Sequence, residues 1–177
     1  MIIIFDTETT GLTLHPAAEV GKQPRIIEFG CVLMNDQGEV ELEYETLIHP
    51  QCSISPEITK ITGLTDADMV GAVPFVEVLD QLRSLFSKAT SVVAHNLPFD
   101  KAMLMNELIR NDIVDFPWPQ KEFCTVGMHK DEWGRNPKLV ELYADKMGEP
   151  LAQTHRALDD VHAMVKIIQK EKLWRIM

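Results

Sequence analysis

The chain has 177 residues, of which 45% are hydrophobic, which is enough for one buried core and within the usual size of one domain. Its 17 Lys and Arg residues against 27 Asp and Glu residues give a formal charge of -10, which argues against a broad basic face for nucleic acid unless divalent cations set the local field. The cysteine spacing excludes a disulfide framework and a CxxC zinc pair, so we expect three reduced thiols, Cys31, Cys52 and Cys124. No apolar stretch approaches the roughly 20 residues of a membrane span, and the N-terminus lacks a signal-peptide pattern. We therefore expect a soluble, cytoplasmic protein without membrane partners.

The first half of the chain contains three predicted strands. Residues 2–5 form a β-branched and aromatic run that predicts a strand buried on both faces, and the polar residues after it predict a turn that places Asp6 at the strand's C-terminal end. Residues from about 25 to 34 and from 40 to 48 predict two further strands, and the Asn-Asp-Gln-Gly between them predicts a hairpin. Residues 13–24, which precede this hairpin, are more polar and more numerous than a tight turn requires.

Caps and apolar periodicity predict the helices. Ser55 as a cap, followed by Pro56 and Glu57, predicts the start of a short helix that ends near Gly63. The later predicted elements are, in chain order, a helix over 75–86, a buried strand at 91–94, a helix from Pro98, a short strand at Phe123 and Cys124, and helices over 139–147 and from His155 to about Lys172. This order predicts an α/β fold with a mixed sheet, whose ligand site lies beyond the C-terminal ends of strands.

Acidic residues follow two of the predicted strands. Asp6 and Glu8 are two residues apart in an extended segment, so their side chains leave the same face and can share one cation. A carboxylate directly after a buried strand is costly unless it binds a metal or hydrogen-bond donors, although a polar turn that merely closes the strand is the alternative. Asp100 follows another buried strand near a helix start, where an acid is also favoured by the helix dipole alone.

The last predicted helix carries two adjacent acids. Asp160 falls on or beside the apolar stripe, whereas Asp159 falls among the polar residues. An inward carboxylate needs a cation, and no position on that stripe is basic, so we predict that Asp160 is the functional acid. His155, five residues before it, would bring a titratable base to the same pocket for activating water, with a surface or capping residue as the alternative.

Three segments in order resemble the motifs of the DEDDh (DnaQ-like) 3′-to-5′ exonuclease family: FDTETTGL at 5–12, HNLPFD at 95–100 and HRALDD at 155–160. The resemblance also takes in ITGLTD at 61–66, covers the chain from residue 2 to about 170, and is nearest to the proofreading epsilon-subunit exonuclease domain. It implies a ribonuclease-H-like α/β fold, with a central mixed five-stranded sheet flanked by helices, as a single domain over residues 1–177.

Carried over by position, the resemblance implies that Asp6, Glu8, Asp100 and Asp160 bind two divalent metal ions and that His155 deprotonates water. Oxygen ligands favour Mg²⁺, with Mn²⁺ able to substitute. Two such ions stabilise the attacking and leaving oxygens of an in-line displacement at phosphorus. The expected products are nucleoside 5′-monophosphates.

The resemblance also implies a substrate-binding set. Leu12 would wedge against the terminal base, Thr9 together with Glu8 would hold the terminal sugar, and His95 and Phe99 would line the nucleotide pocket. The alternatives are an ordinary turn residue at Thr9 and plain core at Phe99. Such apolar stacking binds a strand end without regard to base sequence.

Three functions are compatible with these residues. The leading hypothesis is a free-standing exonuclease on single-stranded DNA 3′ ends, and the second is the same chemistry on RNA, as in ribonuclease T or oligoribonuclease. A non-catalytic partner-binding module is the third, but its signature, loss of an acid or of His155, is absent. Because the sequence ends at Met177 soon after the last predicted helix, we expect no C-terminal tether to a polymerase, and association with one is left open. We expect Lys22 and Arg25 to be solvated rather than to contact phosphates.

Overall fold

The computed structural model describes residues 1–177 and has a mixed five-stranded sheet at its centre. The strands are β1 (Ile2–Thr9), β2 (Ile26–Met34), β3 (Val40–Leu47), β4 (Ser91–Ala94) and β5 (Lys121–Cys124). The helices are α1 (Pro56–Thr62), α2 (Phe75–Phe86), α3 (Leu97–Arg110), α4 (Thr125–Trp133), α5 (Leu139–Met147) and α6 (Ala157–Glu171). The strand order is β3-β2-β1-β4-β5, in which β2 pairs antiparallel with β1 and β3, while β4 pairs parallel with β1 and β5. The predicted mixed five-stranded sheet is therefore confirmed.

Helices cover both faces of this sheet. Successive residues of a strand point to opposite faces, and β1 shows the consequence. Ile3 and Phe5 pack into an apolar cluster with α2 and α3, whereas Ile2 and Ile4 pack into a second cluster with α5 and α6. All nine residues of β2 are buried, which explains why its sequence is a nearly continuous apolar run. The two clusters fix the helices relative to the central strands.

The prediction that the first strand ends at Phe5 is wrong. β1 continues through the polar residues to Thr9 because their backbones go on pairing with β2, where Asp6 lies opposite Gly30 and Glu8 lies opposite Glu28. The β-branched residues Thr7 and Thr9, which alternate with the acids, suit an extended backbone. Asp6 and Glu8 are therefore held by the ladder itself rather than by a turn.

Two further differences concern helices near the C-terminus. The sequence did not predict α4, which has only two buried residues, Thr125 and His129, and so lacks the apolar stripe by which a helix is recognised. The last helix begins at Ala157 rather than at His155, and His155 has a φ of 51° that no helix contains. His155 therefore belongs to the connection before α6.

The short helix α1 has the predicted ends. The Ser55 hydroxyl accepts a hydrogen bond from the Ile58 N–H at 3.4 Å, and Gly63 ends the helix with a φ of 75°. A left-handed residue after a helix is usually glycine because it has no Cβ to clash. The three cysteines are free thiols, as predicted. No helix of the structure combines the length and the apolar content that crossing a membrane requires.

The first turn of α6 lies directly on the backbone of β2 at Gly30. A Cβ at this position would lie 2.5 Å from the Leu158 nitrogen and 2.8 Å from the Ala157 carbonyl carbon. Both neighbours are backbone atoms that no side-chain rotation can move. Gly30 is thus what allows the start of α6 to approach the sheet opposite Asp6.

We predict that Gly30→Ala lowers the free energy of unfolding by about 2–3 kcal/mol, because α6 must shift away from β2. Urea unfolding followed by tryptophan fluorescence measures this change. The matched control is Gly21→Ala, where nothing lies within 4 Å of the new Cβ and no positive φ is required. The control should stay within about 0.5 kcal/mol of the unchanged protein. Equal stability of the two variants would contradict the close approach.

Candidate active site

The C-terminal ends of the parallel strands β1, β4 and β5 meet at one edge of the sheet. A pocket of about 510 Å³ opens there, and Asp6, His95, His155 and Asp160 all line it. These residues come from β1, from the end of β4, and from the connection before α6 and its first turn. Open α/β sheets bind ligands at this kind of edge. The pocket is therefore the candidate site.

Four carboxyl groups lie close together at this edge of the sheet, and two of them, Asp6 and Asp160, line the pocket. Asp6 and Glu8 leave β1 on the side that faces α6, and Asp160 faces them from the helix. One ligand atom each of Glu8, His155 and Asp160 lies within 4.8 Å of the others. Asp100 approaches from α3, where its Oδ1 accepts hydrogen bonds from the Thr7 N–H at 3.2 Å and from the Thr7 hydroxyl at 2.8 Å. The structure thus brings the four predicted acids and His155 together.

Burial and mutual repulsion make these acids hard to ionise. The pKa of Asp6 is well above its usual value because the carboxyl is withdrawn from water and lies near Asp100, Glu8 and Asp160. Burial, with the charges of Asp160 and Glu28 beside it, raises the pKa of Glu8 to about 8. Burial also raises the pKa of Asp100 to about 7, against the opposing effect of its hydrogen bonds from Thr7.

Asp160 follows the same pattern. Burial raises its pKa, which the hydrogen bond from the Gln153 amide at 2.7 Å partly opposes. When several neighbouring carboxyl groups all have raised pKa values, ionising them together is unfavourable unless a cation is present. Oxygen ligands and clustered negative charge are what Mg²⁺ and Mn²⁺ require, so this set of donors fits divalent metal ions.

The two acids of α6 are placed as the helix periodicity predicts. Asp160 is 6% exposed and faces the pocket, whereas Asp159 is exposed and accepts a hydrogen bond from the Thr154 hydroxyl at 2.6 Å. His155 is half-buried and has a left-handed backbone, which is uncommon for a residue with a Cβ. That conformation turns the chain into α6, and the residue lines the pocket.

His95 lines the pocket but uses both ring nitrogens within the protein. Its Nε2 lies 3.1 Å from the Pro137 carbonyl and its Nδ1 lies 2.8 Å from the Thr125 hydroxyl. Because a carbonyl only accepts, Nε2 donates to Pro137. Burial lowers the pKa of His95, which favours a neutral ring whose Nδ1 accepts from Thr125. Both ring nitrogens are therefore engaged within the protein, and the flat face of the imidazole is what remains available to the pocket.

The other predicted binding residues lie outside the acid cluster. Leu12 is 81% exposed and lines a neighbouring groove of about 440 Å³ together with Arg25. Thr9 is buried, and its hydroxyl donates to the Gly11 carbonyl at 2.8 Å. Phe99 is half-buried against the apolar cluster of α2 and α3. The exposed Lys22, which the sequence analysis expected to be solvated, forms an ion pair with Glu19 at 3.3 Å.

Four residues that hold this site were not predicted from the sequence: Thr7, Glu28, Gln153 and Arg156. A signal existed for Glu28, because it is the only charged residue in a nine-residue strand that is otherwise apolar or glycine. A buried acid in such a strand must have a partner. Thr7 and Gln153 gave no comparable signal.

Comparison with known proteins identifies the family. The exonuclease family RNase_T matches residues 3–168. The DNA polymerase III subunit epsilon of Treponema pallidum is 32% identical over 171 residues, covering 92% of this chain and 72% of that relative. A PolC-type DNA polymerase III of Caldanaerobacter subterraneus is 32% identical over 182 residues, covering 98% of this chain but only 12% of the relative. This chain thus corresponds to a small part of the PolC-type polymerase.

Solved structures share the fold. The nuclease domain of 3′hExo, a DEDDh family member bound to rAMP, has a TM-score of 0.77 at 20% identity, covering 97% of this chain and 90% of that one. Exonuclease X in complex with 5′ overhanging duplex DNA has a TM-score of 0.66 at 22% identity, covering 97% and 93%. Exonucleases of the matched family generally depend on divalent metal ions, as the acid cluster leads one to expect. The chain has the ribonuclease-H-like fold and belongs to the exonuclease family RNase_T.

Proposed function

We propose that residues 1–177 act as one domain that removes nucleotides singly from single-stranded DNA 3′ ends and releases nucleoside 5′-monophosphates. The observation that carries this proposal is that four carboxyl groups and His155 lie together at one edge of the sheet: Asp6, His155 and Asp160 line the pocket, and Glu8 and Asp100 lie beside them. In the proposal, the four carboxylates hold two Mg²⁺ ions, for which Mn²⁺ substitutes.

When bound, the two ions would stabilise negative charge on the attacking and leaving oxygens of the phosphodiester. The chain's own residues position the reactants and move the proton. His155 takes the proton of the attacking water on a ring nitrogen, since it lines the pocket beside Glu8 and Asp160. Thr7 and Gln153 orient the carboxylates of Asp100 and Asp160 by donating hydrogen bonds to them.

Substrate binding in this proposal uses the side chains around the acid cluster. Leu12 presents an exposed apolar side chain on which the terminal base stacks, and Thr9 with Glu8 holds the terminal sugar. His95 and Phe99 line the nucleotide pocket, His95 through the surface of its ring because its nitrogens are engaged. None of these contacts requires a particular base.

The preference for DNA is supported by the Treponema relative, whose name is that of a DNA polymerase subunit. The test compares initial rates on a DNA and an RNA 20-mer of the same sequence with Mg²⁺. We expect the DNA rate to be at least about tenfold higher, which corresponds to ~1.4 kcal/mol of discrimination at the 2′ position. A faster RNA reaction would replace this proposal with an exoribonuclease, and no reaction on either would favour a binding module. Association with a polymerase and a cytoplasmic location stay predictions.

Thr7→Val tests how Asp100 is held. The change removes the hydroxyl that donates to Asp100 at 2.8 Å while keeping the side-chain shape, so the Asp100 pKa should rise above about 7. We expect the Mg²⁺ concentration for half-maximal activity to increase about 10–100-fold. The matched control is Thr46→Val on the edge strand β3, where the hydroxyl donates only to the Leu47 carbonyl. An unchanged Mg²⁺ dependence in Thr7→Val would remove Thr7 from the site.

A further inference from the structure

A fifth acid, Glu28, lies beside the four proposed metal ligands and has no role among them. It is in strand β2, between β3 and β1, is 1% exposed, and lies directly opposite Glu8 in the register of β1 and β2. Its charge raises the pKa of both Asp6 and Glu8. A buried carboxylate that adds repulsion to an acidic cluster is costly, so its presence needs a reason.

The partners of Glu28 all belong to the start of α6. The guanidinium of Arg156 donates to both carboxylate oxygens, with Nε at 2.9 Å and 3.1 Å. The Ala157 N–H also donates to Glu28, at 2.9 Å. Arg156 is the residue before the helix and gives it no side-chain cap. Glu28 therefore supplies from the sheet the cap that α6 lacks in its own sequence.

The residues that Glu28 contacts lie, along the chain, between His155 and Asp160, the two groups whose placement matters most for the reaction. Arg156 follows His155, and Ala157 is three residues before Asp160. His155 has a φ of 51°, a conformation that a residue with a Cβ keeps only when its surroundings hold it. Gly30, two residues after Glu28, permits the close contact of β2 with Ala157 and Leu158. The start of α6 is thus fixed by two contacts with β2: the close backbone contact at Gly30 and the hydrogen bonds to Glu28.

We propose that Glu28 and Arg156 are positioning residues for the reaction: Glu28 fixes the first turn of α6 so that the His155 imidazole and the Asp160 carboxylate stay within reach of Glu8. Arg156 carries the compensating charge, so that Glu28 acts as a hydrogen-bond acceptor rather than as a fifth metal ligand. This inference rests on the proposed function, because it assigns the purpose of holding His155.

A pair that only stabilised the fold would behave differently from a pair that positions His155. Replacing both members of an ion pair whose acid is buried with apolar side chains of similar volume often leaves stability nearly unchanged, whereas leaving the buried acid without its cation lowers it. The double variant Glu28→Met with Arg156→Met therefore separates the two roles. It removes both charges and leaves the Ala157 N–H without its cap.

The experiment measures kcat, KM and thermal unfolding for Glu28→Met, for Arg156→Met and for the double variant, with a single-stranded DNA oligomer and Mg²⁺. We expect kcat to fall about 10–100-fold in Glu28→Met and in the double variant, with KM within about threefold. The double variant, which loses the cap of the Ala157 N–H but leaves no buried charge, should unfold within about 5 °C of the unchanged protein. Arg156→Met, which leaves the buried Glu28 without its cation, should unfold at the lowest temperature.

The matched control is Glu43→Met, which removes an exposed carboxylate of β3 that lies 3.2 Å from His162 of α6 and contacts neither Arg156 nor the start of the helix. Its kcat should be unchanged. A double variant with unchanged kcat, or losses of kcat that follow the unfolding temperature across the series, would overturn the proposal.

If the unchanged protein itself leaves the oligomer intact, the proposed function fails instead. Amide hydrogen exchange still tests the contact of Glu28 with α6 in that case: exchange over residues 157–160 should accelerate about tenfold in the double variant, and unaltered exchange would refute it.

Discussion

Replacing Asp160 with Asn lowers kcat/KM for a single-stranded DNA oligomer about 1000-fold, whereas replacing Asp159 with Asn changes it less than about threefold. The first loss corresponds to ~4 kcal/mol of lost charge stabilisation in the transition state. Asp160 is 6% exposed and faces Glu8 and His155, while Asp159 faces solvent and bonds only Thr154. The two variants differ in helix face alone and so form a matched pair.

The loss in Asp160→Asn should not come from unfolding. Removing one charge from a group of buried carboxylates relieves repulsion, so the variant should be at least as stable as the unchanged protein without metal. Thermal unfolding in EDTA checks this. A loss of activity in Asp159→Asn with Asp160→Asn still active would show that the outward acid is the functional one and would contradict the site described above.

The stability of the metal-free protein should decrease as the pH rises from about 5 to 8. Glu8 has a pKa of about 8 and Asp100 one of about 7 in the folded protein, and the pKa values of Asp6 and Asp160 are also raised. In the unfolded chain these groups ionise near pH 4, so between pH 4 and 8 the folded state binds more protons than the unfolded state. Rising pH therefore favours unfolding over this range. Below about pH 4 these carboxyl groups are protonated in both the folded and the unfolded state, so they no longer make the stability depend on pH.

Divalent metal should reverse the trend, because it binds the ionised carboxylates of the folded state alone. We expect 10 mM Mg²⁺ to raise the unfolding temperature by about 5 °C or more at pH 8 and by much less at pH 5.5. Asp6→Asn is the control that separates the cluster from the overall charge of -10, and its pH dependence should be smaller. A metal-free protein that is equally stable at both pH values, with no effect of Mg²⁺, would contradict the electrostatic description of the site.

Much of the fold could be predicted because it depends on local patterns. Three elements can be located from the sequence to within a few residues: β4 by its apolar run, α2 by its opposite apolar and polar faces, and α1 by its caps. The failures have physical causes. β1 continues past Phe5 only because β2 offers partners for its polar residues, and α4 is a helix without an apolar stripe. Tertiary pairing decided both cases.

The candidate site could be predicted in part for the same reason. Asp6, Glu8 and Asp160 lie next to apolar segments that predict buried elements, so the sequence alone indicates them as candidate site residues. Their supports join distant parts of the chain: Thr7 contacts Asp100 across 93 positions and Glu28 contacts Arg156 across 128. Contacts of this kind depend on strand register, which a sequence does not display until the pairing is known.

The most direct test of the proposed activity is a time course of a 5′-labelled single-stranded DNA oligomer with Mg²⁺, with and without EDTA. We expect a ladder that shortens by one nucleotide at a time from the 3′ end, mononucleotide 5′-phosphates as products, and no reaction in EDTA. An intact oligomer, internal cuts, or release of the label before the ladder forms would contradict it.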